Sequence, residues 1–225
     1  MVFNFFRGQR GERLDRIEAK MQGMLVHDRH EFDLAMAALL GEAVAENVND
    51  DLRSTDRKVN QLEREIRREL VVNASVFGGI DTPAVLVYMS VVKDIERVGD
   101  YAKNLVDLAL DGANLAEAPD ADLWRSLTTE ISQYIADAGD AFLAREEDQC
   151  RQLLGRGDEL LQIFDDGVSA LVRNDDHGEH AVARALAHRY LKRVVAHLMN
   201  LLSAVVMPLD RLDYFDEDPE DRSGR

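Results

Sequence analysis

The sequence predicts an all-α protein made of two tandem three-helix bundles related by internal duplication. Apolar residues recur at steps of three and four along six long stretches, the period of one helix face. Only four prolines occur in 225 residues, so little interrupts long helices. The two halves follow one plan, in which a break separates the second and third helical stretches of each.

The first helix carries Leu14, Ile17, Met21, Met24, Leu25, Phe32, Ala35 and Leu39 on one face. The second runs from about residue 48 to 75, with Leu52, Val59, Leu62, Ile66 and Leu70. VFGGIDTP, residues 76–83, ends it: two glycines remove helix preference, and Pro83 suits the first turn of the next helix. The third runs from about 83 to 111. DGANLAEAPDAD is then a connector containing Gly112 and Pro119.

In the second half, a helix over about 121–145 carries Leu123, Leu127, Ile131, Ile135, Ala138 and Phe142. Another over about 147–173 carries Leu153, Leu160, Phe164, Val168 and Leu171. RNDDHGEH breaks the chain where VFGGIDTP did, and the last helix covers about 179–206 before Pro208. The expected segments are an N-terminal stretch 1–12, repeats over 13–114 and 119–207, and an acidic tail 208–225. Met21, Met24, Met89, Met199 and Met207 read as core.

A formal net charge of −16 disfavours nucleic acid, whose affinity comes largely from protein cations meeting phosphates, and permits cation binding. The single cysteine, Cys150, cannot form an internal disulfide, which fits a reducing, cytoplasmic setting. No run of apolar residues is long enough for a membrane span, and the apolar run at the start is too short for a signal peptide. Phe3, Phe5 and Phe6, followed by Arg7, Arg10 and Arg13, read as a frayed or docked end rather than a membrane- or partner-binding segment.

The chemistry concentrates in KDIERVGDYAKNL, residues 93–105, inside an otherwise apolar helix. A buried helix face does not take carboxylates without partners. Glu96, Asp100, Asn104 and Asp107 share one face, as do Asp56, Asn60 and Glu63 on the preceding helix. Consecutive antiparallel helices bring such strips together. Glu96 and Asp100 alone, about 6 Å apart, repel by roughly 3 kcal/mol at an effective dielectric near 20. Protonation, a basic partner (Arg97, Lys93 or Lys103) or a metal ion would each relieve this. Oxygen-only ligands favour Mg, Ca, Mn or Fe.

DIERVGDYAKN resembles the signature of the PhoU family of phosphate-uptake regulators, in which a helix reads approximately Leu-Glu-Arg-Ile-Gly-Asp-His-Ala-x-Asn. DRKVNQLEREIRREL, residues 56–70, is similar to that family's preceding helix, approximately Asp-x-x-Val-Asn-x-Leu-Glu-x-x-Ile. The resemblance covers roughly residues 25–207. It implies a fold of two tandem three-helix bundles with acidic motifs that hold metal ions on one face. Carried over by position, Glu96 and Asp100 would be metal ligands faced by Asp56 and Asn60, with Glu63 beside them. The ion would be Fe, Mn, Mg, Ca or Zn.

The resemblance further implies a non-catalytic regulator of phosphate homeostasis. Its partners would be a phosphate transporter component, a phosphate-sensing kinase, or both, with any membrane association through the partner. A homo-oligomer, a dimer, is expected. The alternatives are a di-metal carboxylate enzyme of the ferritin-like kind and a metal-free helical scaffold. The ferritin-like class wants Glu-x-x-His pairs, which the acidic strips lack.

The second half departs from the family pattern. Aligning 190–202 with 94–106 matches Leu191 with Ile95, Arg193 with Arg97, Val194 with Val98 and Asn200 with Asn104. Lys192 and Ala196, however, replace Glu96 and Asp100. Asp158, Gln162 and Asp165 keep the spacing of the opposing strip, where Lys192 could neutralise an acid. One metal site, in the first half, is therefore expected. His197 and its counterpart Tyr101 read as local packing residues. His27, His30 and Glu31 share one face of the first helix and could bind a transition metal, but surface histidines are the preferred reading. His177 and His180, beside Asp175, Asp176 and Glu179, read as helix capping.

Overall fold

The computed structural model describes residues 12–77, 82–173, 178–208 and 211–212. Six helices and no strands occur among them: α1 (Glu12–Leu39), α2 (Ala45–Phe77), α3 (Thr82–Leu110), α4 (Ala121–Ala144), α5 (Glu147–Arg173) and α6 (Ala181–Val206). The expected elements and their order are all present. Pro83 stands in the first turn of α3, where its missing N–H has no helical partner to lose. Phe3, Phe5, Phe6, Arg7 and Arg10 lie outside the described residues, as do Asp175, Asp176 and His177 and most of the acidic tail.

Helices α1, α2 and α3 pack against one another, and α6 packs against both α4 and α5. The two bundles meet where α1 lies on α4 and α3 lies on α6. Every apolar position expected on the α1 face is buried, from Leu14 to Leu39. So are Leu52, Val59, Ile66 and Leu70 on α2, while Leu62 is partly covered. On α4 the turn near Leu123 is rotated from expectation. Leu123 is exposed, and Trp124 is fully buried instead. Asp120 fixes that rotation by accepting the indole N–H of Trp124 at 2.9 Å and by pairing with Arg184 of α6 at 2.7 Å. Burying a ring of this size stabilises the fold by more than exposing one leucine costs.

Polar side chains tie the bundles together. Arg145, in the left-handed conformation that ends α4 (φ 55°), donates to Glu18 of α1 and to the hydroxyl oxygen of Tyr88 of α3. Across the α3–α6 seam, Asp94 meets His197 Nδ1 at 2.9 Å and accepts from Asn200 at 3.1 Å. His197 also stacks on Tyr101 with ring centroids 5.8 Å apart. His180 precedes α6 with φ 56° and makes no side-chain capping hydrogen bond, so it does not cap as expected; it lies 3.7 Å from Glu117 instead.

Candidate metal centre

The strips expected on α2 and α3 face each other. Lys103 of α3 joins them, with Nζ 2.5 Å from Asp56 Oδ1 and 2.8 Å from Asp100 Oδ1. Asn60 donates to the other oxygen of Asp56 at 3.0 Å, one turn along α2. Glu96 is buried and is met by Lys93 at 2.5 Å. Glu63 is also buried, with the Arg67 guanidinium 3.1 Å away. Asp107 and Arg97 are exposed, so the face does not continue through either. The structure thus joins Asp56 and Asp100 through one lysine, with Asn60 bonded to Asp56, while Glu96 and Glu63 each have a basic partner on their own helix.

The sequence pattern of α2 and α3 does not reveal a third wall. Asp28 and Glu31 of α1 are completely buried, and none of their four carboxylate oxygens has a hydrogen-bond partner. They lie against α3 at Gly99, between Glu96 and Asp100. A Cβ on Gly99 would stand 2.9 Å from Asp28 Oδ1 and 2.7 Å from Glu31 Oε2. Only the smallest residue leaves that room. His27 and His30 are half-buried and exposed respectively, whereas Glu31 points into the bundle and is not a surface residue.

A signal for this pair was present. The α1 stripe runs 21, 24, 25, then 32, 35, and helical period places 28 and 31 in the gap. Two acids on an apolar stripe are the α1 counterpart of Glu96 and Asp100 within an apolar helix.

The electrostatics follow from the geometry. Burial, reinforced by the charges of Glu31, Glu96, Asp56 and Asp100, holds the Asp28 carboxyl well above the usual carboxylate range. Burial, then Asp56 and Asp100, pushes Glu31 up to about 8, against the opposing pull of Lys103. Lys103 is held more firmly protonated than an ordinary lysine: burial works against its charge, but the hydrogen bonds and charges of Asp100 and Asp56 outweigh it. Two orphaned buried carboxylates, with further carboxylates acting on them, are costly without a cation or protons. The donor types suit a hard cation, since no thiol or imidazole is among them, but no three of these carboxylates bring oxygens within 4.8 Å of one another, so the side chains would have to close in to hold one.

The second bundle holds no such arrangement at the matching positions. Lys192 Nζ lies 2.5 Å from Asp165 Oδ2, and Arg189 is 3.8 Å from its other oxygen. Gln162 donates to Asp166 at 2.9 Å. Where α1 and α3 meet over carboxylates, α5 and α6 meet over His188. The ring packs on Trp124 at 4.6 Å and closes over Gly167, where a Cβ would collide with Nε2. Burial pushes His188 down to about 4.

Fold and site define a helical protein of two matched bundles, with buried acids gathered where α1, α2 and α3 of the first bundle meet. A family model described as the PhoU domain matches residues 23–109. The chain is 30% identical over 197 residues to the phosphate-specific transport system accessory protein PhoU homolog of Deinococcus radiodurans, spanning 81% of each chain. It is 24% identical over 190 residues to the homolog of the same name from Pseudomonas aeruginosa, spanning 77% of this chain and 78% of that one. The chain belongs to the PhoU family.

Solved structures share the fold. The crystal structure of PhoU from Pseudomonas aeruginosa superposes with a TM-score of 0.74 at 22% identity, covering 86% of this chain and 95% of that one. The phosphate transport system regulatory protein PhoU from Streptococcus pneumoniae superposes with a TM-score of 0.69 at 16% identity, covering 89% and 96%. No helix among the described residues is long and apolar enough to cross a membrane.

Proposed function

We propose that this chain is a non-catalytic regulator of phosphate uptake, acting by binding a phosphate transporter component or a phosphate-sensing kinase. Its kinship with proteins named phosphate-specific transport system accessory proteins carries the regulatory reading. The acidic cleft of the first bundle holds a metal ion through Asp56, Asp100 and Glu96, with Asn60 and Glu63 at its margin and Asp28 and Glu31 beneath. Fe, Mn, Mg, Ca and Zn are the candidates, and the all-oxygen donor set ranks Zn last. The orphaned pair against Gly99 supports this reading, because buried carboxylates without donors want a counter-charge.

The ion's chemistry in the proposal is structural: it would draw three helices together and fix the face presented to a partner. The chain acts in the cytoplasm, as a homo-oligomer, and reaches a membrane only through its partner. Nucleic acid is not among its ligands, given the charge of −16. Lys103 between Asp56 and Asp100 favours a second reading, a metal-free scaffold whose acids are neutralised internally. A ferritin-like enzyme gains no support, since α2 and α3 contain no histidine.

Two measurements test this. Elemental mass spectrometry of protein purified without chelator should find near-stoichiometric metal that drops in Asp100→Ala. Metal-free protein in both samples would leave the scaffold reading. Separately, phosphate-uptake regulation in cells lacking the chain should return with the wild type, and failure to return would remove the regulatory reading.

A further inference from the structure

The acidic cleft already contains one cation, and that cation belongs to the protein. Lys103 bridges α2 and α3 through Asp56 and Asp100. Those are two of the carboxylates a metal would need. Asp28 and Glu31, on the inner side, receive no donor from it. The lysine therefore satisfies the outer acids and leaves the inner pair orphaned. Its side chain is 31% exposed, so a path from the cleft to water exists.

We propose that Lys103 is a built-in competitor for the cation site: its ammonium fills the Asp56–Asp100 position in the ion-free chain and must swing into solvent before a multivalent ion is held there. The inference rests on the metal reading above and adds how the site is controlled and what it selects.

Two positive charges cannot share the same pair of carboxylates at contact distance without strong repulsion. Occupancy is thus exclusive, lysine or metal. Sodium or potassium brings no more charge to Asp56 and Asp100 than the ammonium it would displace. A di- or trivalent ion gains more: it meets Asp56 and Asp100 with more charge, and its field acts more strongly on the orphaned Asp28 and Glu31, which the ammonium leaves without a donor.

The choice of lysine matters. Its ammonium is a point charge on a flexible stem, easily exchanged for water, whereas an arginine fork would grip two carboxylates with several fixed donors. Lys93 does not serve the same purpose. It meets only Glu96, three residues along its own helix, and bridges no two helices.

The experiment is calorimetric titration of the chelator-stripped full chain with Mn2+ alone. Wild type is compared with Lys103→Met, Lys103→Arg and, as a control in the second bundle, Lys192→Met. Removing the competitor should tighten Mn2+ binding by about tenfold or more. Arginine should weaken it, and Lys192→Met should leave it unchanged. Excess potassium should compete in none of them. The melting temperature of ion-free Lys103→Met should fall and its rise on Mn2+ saturation should exceed that of the wild type.

Wild type that binds Mn2+, with Lys103→Met binding equally or more weakly, would overturn the competitor role and leave the metal reading standing. If Lys103→Met does not fold, unweakened binding in Lys103→Arg overturns the competitor role in its place. Folded wild type and folded Lys103→Met that both ignore Mn2+ would remove the metal reading, and the competitor with it.

Discussion

Gly99 of α3 lies directly against Glu31 of α1, so closely that a Cβ would stand 2.7 Å from the carboxylate Oε2. Asp28 closes the same gap from the next turn at 2.9 Å. Gly99→Ala should destabilise the chain by about 1–3 kcal/mol, because two buried carboxyl groups would both have to shift to admit the methyl group. It should also weaken cation binding, since the methyl group pushes both carboxylates off the cleft. Urea denaturation and Mn2+ titration of the same sample measure the two effects. A variant as stable as the wild type would mean that the helices separate easily at this point.

Asp28 and Glu31 should respond oppositely in the two states of the site. The double variant Asp28→Asn, Glu31→Gln keeps shape while replacing two carboxyls whose charged form burial disfavours. In chelator-stripped protein near neutral pH it should be more stable than the wild type, by on the order of 1–4 kcal/mol. In the presence of saturating Mn2+ the order should reverse, because the wild type alone gains the full ligand set. A variant less stable under both conditions would mean that the amides fit this buried site worse than the carboxyls they replace.

The pH dependence has a definite sign. Glu31 is raised from 4.5 to about 8, chiefly by burial and then by Asp56 and Asp100. Between those values the folded chain keeps a proton that the unfolded chain has released. Through this group, stability of the metal-free protein is full below about 4.5 and declines as pH rises through 8. The loss by alkaline pH is on the order of 2–4 kcal/mol, and Glu31→Gln should flatten it. Denaturant titration on both sides of neutrality reads the slope. An equal slope in Glu31→Gln would assign it elsewhere.

His188 acts in the other direction. Burial lowers it from 6.5 to about 4, so the unfolded chain takes a proton that the folded chain refuses. Stability through this group is full above about 6.5 and is lost as pH falls through 4. His188→Gln should reduce the acid sensitivity of unfolding, as read by denaturant titration on the acid side.

Gly167 provides a control for the first bundle. A Cβ there would collide with His188 Nε2, with the ring held between Trp124 and Phe164. Gly167→Ala should cost about 1–3 kcal/mol. It should leave Mn2+ affinity unchanged, because α5 contributes nothing to the acidic cleft. Loss of affinity here would show that the bundles are coupled through the α3–α6 seam at Asp94 and His197.

The helices and their order were legible in the sequence because each buries one apolar stripe, and a stripe of period 3.6 is a local property. The degenerate second motif was equally plain, since Lys192 and Ala196 replace acids at matching positions. The α2–α3 strips could be read for the same reason: Asp56, Asn60, Glu96 and Asp100 sit at helical spacing on consecutive helices. Three matters needed the tertiary structure. Which acid meets which base depends on the rotation of α2 against α3, and that placed Lys103 between Asp56 and Asp100. The rotation of α4 buried Trp124 instead of Leu123, because Asp120 and Arg184 are joined across the bundle. And Asp28 and Glu31 became part of the cleft only when α1 packed on Gly99. Periodicity tells which face of a helix is buried; the packed partner alone decides what a polar group on that face will meet.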